Sequence, residues 1–548
     1  MQLQDDIPLE ILDPNIETWR NLSVLTHRAL HTPTPSAVND TLRNQINADP
    51  DNGFAATYLF WIGSTLKREA RFEQAISAYK ELSQRYGDRQ QWDSNWKALS
   101  LEEIAICQER LGDIKAAITT YQAILKTKTK GVSEAWCYYQ AGRLLERLKQ
   151  TEEAIRTYRI AANSSDSPSH PGISIPDLAQ RDASRLESKQ EWIRSQPEWI
   201  ADALARALRK NDFAGLEQLA SLTHFRFGIA NSELSFVPLG KTLELLNQDL
   251  NESQIVCDPE DLQRSGGKIY LFTDGWKGQT FFGRVAFLIC RMGEGWEWGG
   301  VIVTQPTEAQ LSNLLESQHP MSNQPLPIPI KAPWPAGMSF RAGGVFNFAA
   351  EAVATGGPLS LLGWFARLIL ANNDCGWGPA GFYYNQFTHS GSHAFAIDFT
   401  RYRRGAPLVD AANGVPMLNV ASGVVASAVD GFSDGDPINT NIVRVHHRVP
   451  SEPWTFEQLS LMTETRLRSE YWHLSGRRRM PSIRGMWAPQ GFTLGFMDDT
   501  GNSAFPHLHF LIQDRDLGFA SVRPTPMDGQ TLNDGENYKC IRSTNVPL

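Results

Sequence analysis

Apolar positions in the first third of the chain recur every three to four residues, which predicts amphipathic helices. One pattern occurs three times, as Ala75-Ile76-x-x-Tyr79, Ala117-Ile118-x-x-Tyr121 and Ala154-Ile155-x-x-Tyr158. Its alanine lets two helices approach closely, and its tyrosine, four residues later, lies on the same helical face. A partner helix is predicted upstream of each copy, over Tyr58 to Leu66, Ile104 to Leu111 and Trp136 to Leu148. The pattern therefore predicts three helix pairs.

These helix pairs resemble tetratricopeptide repeats and cover about Asp51 to Asn163. They recur at spacings longer than the usual repeat of about 34 residues, so we expect extended loops between them. Stacked helix pairs bury a shared core and leave a concave surface. Two interpretations stay open for this surface. It docks another protein, or the array is a helical prop that packs on the rest of this chain.

The pattern changes beyond the repeats. The segment Ser164 to Pro171 is rich in serine and proline and predicts a break. Helical periodicity over Pro197 to Leu208 then gives way to alternating, aromatic-rich runs such as Phe281 to Cys290, which predict strands. This region is interpreted as an α+β domain of unknown function. The run Ser322 to Pro329 is rich in proline and predicts an extended linker.

The predicted fold class is therefore multidomain, as a length of 548 residues also favours. The predicted segments are an N-terminal extension (1–50), tetratricopeptide-like helical repeats (51–166), a linker (167–190), an α+β domain (191–315), a proline-rich linker (316–330) and a mainly antiparallel β domain (331–548).

Composition describes an ordinary soluble protein, with 41% hydrophobic and 20% charged residues. A net charge of −8 gives no reason to propose a nucleic-acid partner. The longest apolar stretch, Leu359 to Leu370, contains Arg367 and is too short to span a bilayer. The acidic start Met1 to Asp6 lacks the layout of a secretory signal, so we expect a cytoplasmic protein without a transmembrane segment.

Candidate chemistry is concentrated near the C-terminus, where seven of the 12 histidines fall between His389 and His509. Alternation along a strand points His507 and His509 to the same face, about 6–7 Å apart at their backbones. Zinc sites that hydrolyse bonds use three imidazole or carboxylate ligands and leave one position for water. Neighbouring neutral histidines can act as a general base and as donors to an oxyanion. Each signal is weak alone, and their conjunction indicates a metal site.

Four motifs carry a resemblance to the lysostaphin and LytM group of zinc endopeptidases, which cut peptide cross-links in bacterial cell walls. They occur in a fixed order: Thr388 to Phe399 with His and Asp, Gly414 to Met417 before Gly423-Val424-Val425, Tyr471-Trp472-His473-Leu474, and His507-Leu508-His509-Phe510. The resemblance implies a β domain with Zn²⁺ in an open groove. Carried over by position, it makes Asp398 and His509 zinc ligands, and His473 and His507 the catalytic histidines.

The first metal ligand departs from the compact family motif, which has histidine four residues before the aspartate. Position 394 is alanine here, and the candidates are His389 and His393. The context His389-Ser390-Gly391 resembles relatives with a longer loop, so His389 is preferred over His393. His446, at a strand end, is interpreted as a surface histidine rather than an auxiliary polar residue of the site.

The resemblance implies a zinc metalloendopeptidase, a hydrolase of peptidoglycan stem peptides or cross-links, with the repeats docking a protein partner. One alternative is a non-cutting protein that binds or regulates cell-wall enzymes, which the repeats and the loosened first motif favour. Another is a zinc peptidase acting on a non-wall peptide, which cytoplasmic residence would favour. A wall substrate requires a periplasmic or extracellular location, so the compartment stays open.

Overall fold

The computed structural model describes most of the N-terminal region and the strands of the C-terminal region. The described residues are 14–91, 94–127, 132–164, 175–187, 194–221, 226–229, 235–236, 239–265, 268–278, 281–292, 295–303, 330–334, 339–342, 397–400, 413–430, 432, 434, 440–447, 466–476, 478, 480–501, 506–514, 520–522, 527, 540–542 and 545. No helix among these residues is long and apolar enough to cross a lipid bilayer.

The N-terminal region is a helical array. Its helices are α1 Pro14–Leu30, α2 Asn39–Ala48, α3 Ala55–Arg68, α4 Phe72–Tyr86, α5 Trp96–Arg110, α6 Ile114–Thr127, α7 Glu134–Arg147, α8 Thr151–Ala162 and α9 Ile175–Glu187, with a 3-10 helix Pro35–Val38 after α1. Each helix from α2 to α8 packs on the next one in the chain. The three predicted helix pairs are α3–α4, α5–α6 and α7–α8.

Side-chain caps explain where the repeat helices begin. The Asn95 side chain accepts a 2.8 Å hydrogen bond from the backbone N–H of Ala98 at the start of α5. Ser133 accepts one of 3.2 Å from Trp136 at the start of α7. Such caps satisfy N–H groups that have no partner within the helix. The hairpin β1 (Gln90–Gln91) and β2 (Ser94–Asn95) lengthens the α4–α5 connection, as the long repeat spacing predicts.

Glycines opposite the repeat tyrosines set how closely the paired helices approach. A Cβ atom at Gly63 would lie 2.5 Å from the ring of Tyr79, and one at Gly142 would lie 2.7 Å from the ring of Tyr158. Both tyrosines are completely buried. Because these separations are shorter than any real carbon–carbon contact, each tyrosine ring occupies the space that a side chain at the glycine would need.

The structure corrects two of the predicted segments. Helices α1 and α2 lie within 1–50, predicted as an extension, and buried Trp19 of α1 stacks on Phe54 with ring centroids 4.9 Å apart. Helix α9 lies within 167–190, predicted as a linker, and buries Leu178 against the last repeat. The ends of a helical stack are apolar and need covering elements, which these helices supply.

The middle region combines helices with one sheet. It contains α10 Pro197–Arg209, α11 Phe213–Leu219, α12 Leu239–Asn251, β3 Arg226–Ile229, β4 Ser235–Phe236, β5 Val256–Ser265, β6 Lys268–Lys277, β7 Phe282–Met292 and β8 Gly295–Val303. The sheet order is β4-β3-β8-β7-β6-β5, antiparallel except for the parallel pair β3 and β8. Helix α10 packs on this sheet, and its residues share a core with Trp276, Phe287 and Trp298.

The C-terminal region is an antiparallel sheet, as predicted. Its strands are β9 Ser339–Ala342, β10 Ile397–Thr400, β11 Pro416–Leu418, β12 Gly423–Val429, β13 Ile442–His447, β14 Leu467–Trp472, β15 Trp487–Ala488, β16 Thr493–Phe496, β17 Leu508–Asp514, β18 Ala520–Val522 and β19 Cys540–Arg542. The order is β15-β12-β13-β14-β17-β10-β9-β19, with β18 also paired to β17, and β11 pairs separately with β16.

Alternation gives this sheet two unlike faces. Tyr471 of β14 opposes Phe510 of β17, and their rings lie 5.2 Å apart within an apolar core. The next opposed pair is Trp472 and His509, which therefore lies on the other face. That second face also carries the ion pair between Arg444 and Glu470, 2.9 Å apart. One face thus buries a core, and the other carries the polar residues of the candidate site.

The first helices of the array pack on the C-terminal domain. The indole N–H of Trp19 donates to the carbonyl of Gly485, and that of Trp61 donates to the carbonyl of Arg484, each at 2.9 Å. Both tryptophans belong to one apolar core that includes Trp487 of β15. Helices α1 and α3 therefore fit the interpretation of the array as a helical prop that packs on the rest of this chain.

Candidate metal and catalytic centre

Strand β17 places His509 between two strands that both contribute to the predicted site. His509 opposes Trp472 of β14 on one side and Asp398 of β10 on the other. Its ring lies 5.2 Å from the ring of Trp472. Directly opposed residues of antiparallel strands are neighbours on one face of the sheet, so positions 398 and 509 are adjacent there.

His473 joins the same cluster because the chain turns sharply where β14 ends. Simple alternation would send the residue after Trp472 toward the opposite face. His473 instead has φ +62°, in the left-handed region, and its ring lies 4.6 Å from that of His507 and 6.1 Å from that of His509. A non-glycine residue in this conformation costs on the order of 1 kcal/mol and is found where the surrounding structure holds it, commonly at functional sites.

A backbone carbonyl determines the protonation of the His473 ring. Nδ1 of His473 lies 2.6 Å from the carbonyl oxygen of Thr500. Because a carbonyl only accepts hydrogen bonds, Nδ1 carries the proton and donates. In the neutral ring Nε2 therefore carries the lone pair. This hydrogen bond fixes both the tautomer and the orientation of the His473 ring.

The loop that contains Thr500 is itself tied to the strands. The Thr500 hydroxyl donates to the carbonyl of Leu474 at 2.8 Å and accepts from the N–H of Asn441 at 3.1 Å. The N–H of Asp498 donates to the carbonyl of His473 at 2.9 Å. Residues 498–501, called the Thr500 loop below, are therefore hydrogen-bonded to His473, to Leu474 and to Asn441.

The Thr500 loop also contains two buried carboxyl groups, those of Asp498 and Asp499. Asp498 and Asp499 are 2% and 0% exposed. Burial, with the neighbouring Asp499 carboxyl, raises the pKa of Asp498 far above its ordinary value. Asp498 therefore keeps its proton at neutral pH.

His446 differs from its interpretation as a surface histidine. It is 5% exposed, and burial followed by the nearby Arg468 guanidinium lowers its pKa to about 3. It opposes Arg468, whereas Trp472, beside the cluster, opposes Ile442. Four residues of β13 separate these positions, roughly 13 Å along the strand. The interpretation was wrong because the polar face of this sheet is covered, and His446 lies away from the histidine cluster.

The predicted ligand set lies only partly within the described residues. His389 and His393 are outside them, and only the backbone of Asp398 is described. In the part of the chain that the structure describes, no three His, Cys, Asp or Glu side chains form a group that could hold a metal ion. The adjacency of an imidazole at 509 to an aspartate position at 398 nevertheless fits the ligand types that zinc takes in hydrolytic sites.

The histidine cluster is closed to solvent. His473 is 1% exposed, and His507 and His509 are 0% exposed. Such burial strengthens electrostatic interactions inside a site. It also means that a peptide substrate could reach these rings only after some part of the chain moves aside.

The sequence motifs identified the histidines but not the residues that hold them in position, Thr500 and Lys268. Thr500 begins the sequence Thr500-Gly501-Asn502-Ser503, whose glycine and asparagine are typical turn residues and were a usable signal. Its role, however, depends on a backbone carbonyl, which every residue has. Lys268 of β6, which reaches the same loop, stands before an ordinary apolar strand and carries no signal in the sequence.

Comparison with known proteins supports the repeats. A family model described as tetratricopeptide repeat matches residues 100–127 and 136–165. No curated protein matches the chain. Among solved structures, a tetratricopeptide repeat protein from Parabacteroides merdae is 15% identical with a TM-score of 0.25, covering 38% of this chain and 72% of its own. MamA from Desulfovibrio magneticus is 13% identical with a TM-score of 0.22, covering 38% and 93%.

The catalytic domain of lysostaphin from Staphylococcus simulans is also similar in part. It is 21% identical with a TM-score of 0.18, covering 29% of this chain and 94% of its own. No function is transferred from these structures at such scores. The N-terminal helical array carries tetratricopeptide repeats, a fold of protein–protein interaction, and it is followed by a C-terminal antiparallel β domain.

Proposed function

We propose that the C-terminal domain is a zinc-dependent endopeptidase that hydrolyses peptides of bacterial peptidoglycan, in stem peptides or cross-links. One observation carries the proposal. The ring of His473 lies 4.6 Å from that of His507 and 6.1 Å from that of His509, and Asp398 opposes His509 in the sheet. Three imidazoles beside a carboxylate position are a donor set suited to hydrolysis at zinc.

Each residue has a role in this proposal. Asp398, His509 and His389 would hold a zinc ion, whose chemistry would be to polarise the scissile carbonyl and to lower the pKa of water. His473 accepts the proton of the attacking water at Nε2, because its Nδ1 donates to Thr500. His507 donates a hydrogen bond to the oxyanion that develops on the peptide.

A second candidate is a non-cutting protein that binds or regulates other proteins through its repeats. Two observations favour it. The matched family model lies in the repeats, at 100–127 and 136–165, and the three histidines are almost completely buried. The comparisons support this candidate more directly than hydrolysis, since tetratricopeptide arrays present surfaces for partners. Helices α1 and α3 already pack on the β domain, and Trp136 of α7 contacts Phe432 of that domain, so a partner would bind the remaining surface of the repeats.

Zinc content separates the two candidates. The full chain is purified without chelator or histidine tag, and its zinc is measured beside that of His509→Ala. His31→Ala, which changes an exposed histidine just after α1, is the matched control. The proposal expects about one zinc per chain in the wild type and the control, and almost none in His509→Ala.

The zinc-loaded protein is then incubated with purified peptidoglycan and, separately, with a library of non-wall peptides, and new amino termini are counted. Cleavage of peptidoglycan supports the proposal, and cleavage of the library alone redirects it to a non-wall substrate. Bound zinc without cleavage, or no zinc after incubation with the metal, rejects hydrolysis and leaves the binding role.

A further inference from the structure

Lys268, the first residue of β6, reaches from the middle domain into the C-terminal domain. Its side chain is completely buried. Nζ donates hydrogen bonds to the carbonyl oxygens of Asp499, at 2.6 Å, and Gly501, at 3.2 Å. These acceptors belong to the Thr500 loop and lie on either side of Thr500.

The Thr500 loop is thereby shared between two partners. The carbonyls of Asp499 and Gly501 accept from Lys268, and the carbonyl between them, that of Thr500, accepts from His473. The ammonium group and the imidazole therefore bind neighbouring carbonyls of one loop, and a shift of the loop changes both sets of hydrogen bonds.

The loop has little freedom to adjust by other means. Gly501 has φ +81°, and a Cβ atom there would lie 1.8 Å from the hydroxyl of Thr440. The turn therefore requires glycine and runs directly against Thr440, just before β13 begins. A loop packed this closely takes up one position when its hydrogen bonds are present.

The positive charge of Lys268 suits it to holding the Thr500 loop in place. A buried ammonium group is tolerated only when it is well hydrogen-bonded, and charge-assisted hydrogen bonds are the stronger class. The loop offers Lys268 two carbonyl oxygens as acceptors. A neutral residue of similar length would fill the space but would not draw the two carbonyls toward the middle domain.

We infer that Lys268 is a positioning residue for His473, and that the middle domain acts on the histidine centre through it. The inference rests on the proposed function only in treating His473 as the base. It assigns a role to a domain in which sequence analysis found no catalytic group. Removing the Lys268 ammonium group releases the Thr500 loop and loosens His473.

The test measures the reactivity of His473 in the full chain with diethyl pyrocarbonate, with rates at each histidine read by mass spectrometry. Lys268→Met is compared with Lys277→Met, which changes an exposed lysine at the other end of β6. The inference expects at least a tenfold faster modification of His473 in Lys268→Met and no change in Lys277→Met. His27, buried at the α1 interface, is the internal reference and keeps its wild-type rate. Equal His473 rates in Lys268→Met and wild type overturn the inference.

A second variant keeps the test decisive if Lys268→Met does not fold by circular dichroism. Lys268→Gln retains N–H donors on a shorter, uncharged chain, and a severalfold faster modification of His473 supports the inference, whereas a wild-type rate overturns it. Modification needs neither zinc nor substrate, so this result is independent of whether the protein cuts peptides. Where hydrolysis is found, Lys268→Met lowers kcat at unchanged KM, because the substrate contacts are intact and only the base is displaced.

Discussion

The indole N–H of Trp61 donates a hydrogen bond of 2.9 Å to the carbonyl oxygen of Arg484, 423 positions further along the chain. Trp61 is completely buried and lies in a core shared by the first repeat and the β domain. The repeat array and the β domain are therefore joined by an interface built like the interior of one domain.

We expect Trp61→Ala to destabilise the protein by about 3–5 kcal/mol, the usual loss for truncating a buried tryptophan. Trp61→Phe keeps most of the packing and loses the hydrogen bond, so about 1 kcal/mol is expected. Trp199→Ala, which removes a 54% exposed tryptophan, is the control and should change stability by less than about 0.5 kcal/mol. Urea unfolding followed by intrinsic fluorescence measures all three. Equal effects at positions 61 and 199 would contradict the shared core.

Zinc binding and turnover should separate when the histidines are changed one at a time. His473→Gln is expected to retain zinc and to lose hydrolysis by a factor of about 10²–10⁴, because it removes a general base and no ligand. His447→Gln is the control, since His447 is buried at the other end of β13 and bonds Ser469 at 2.7 Å. Full activity in His473→Gln, measured with bound zinc, would refute the proposed base.

Acid should weaken the packing of α1 on the β domain through His27. Burial, followed by the nearby His31, lowers the pKa of His27 from 6.5 to about 3, and its Nε2 donates to the carbonyl of Thr493 at 3.1 Å. The unfolded chain binds this proton between pH 6.5 and 3 while the folded chain does not. The free energy of unfolding therefore falls as the pH drops below 6.5, by up to about 1.4 kcal/mol for each pH unit.

Comparing wild type with His27→Gln isolates this contribution. Other buried histidines, such as His446 and His447, titrate in both proteins and cancel in the difference. Unfolding is measured from pH 7.5 to 4.5, and the two curves should converge toward low pH. Parallel curves would show that His27 is not held neutral in the folded protein.

Close packing in the last repeat predicts a strong effect of one methyl group. Gly142→Ala places a Cβ atom 2.7 Å from the Tyr158 ring, so we expect a loss of about 1–3 kcal/mol despite the better helix propensity of alanine. Tyr158→Ala removes the obstructing ring and by itself lowers the free energy of unfolding. In the double variant the Gly142 effect should vanish or reverse, and additive effects in this mutant cycle would count against the packing argument.

Local pattern was enough to predict the repeats and the strands. The alanine and tyrosine of each repeat, such as Ala75 and Tyr79, are buried where helical periodicity places them. Alternation likewise anticipates β7, and the shared face of His507 and His509 stays a prediction. Helix α9 escaped prediction because it follows a serine- and proline-rich break and is stabilised by packing on α8, not by a long pattern of its own.

The sequence by itself determined which residues are candidates for chemistry, since motifs around Asp398, His473 and His509 depend on residue type and spacing. Tertiary structure alone decided how they meet. Strand register opposes Asp398 to His509, and a left-handed turn redirects His473. The carbonyl of Thr500 and the ammonium group of Lys268 then hold that turn. Such contacts join distant segments through backbone atoms common to every residue, so no local pattern of side chains can encode them.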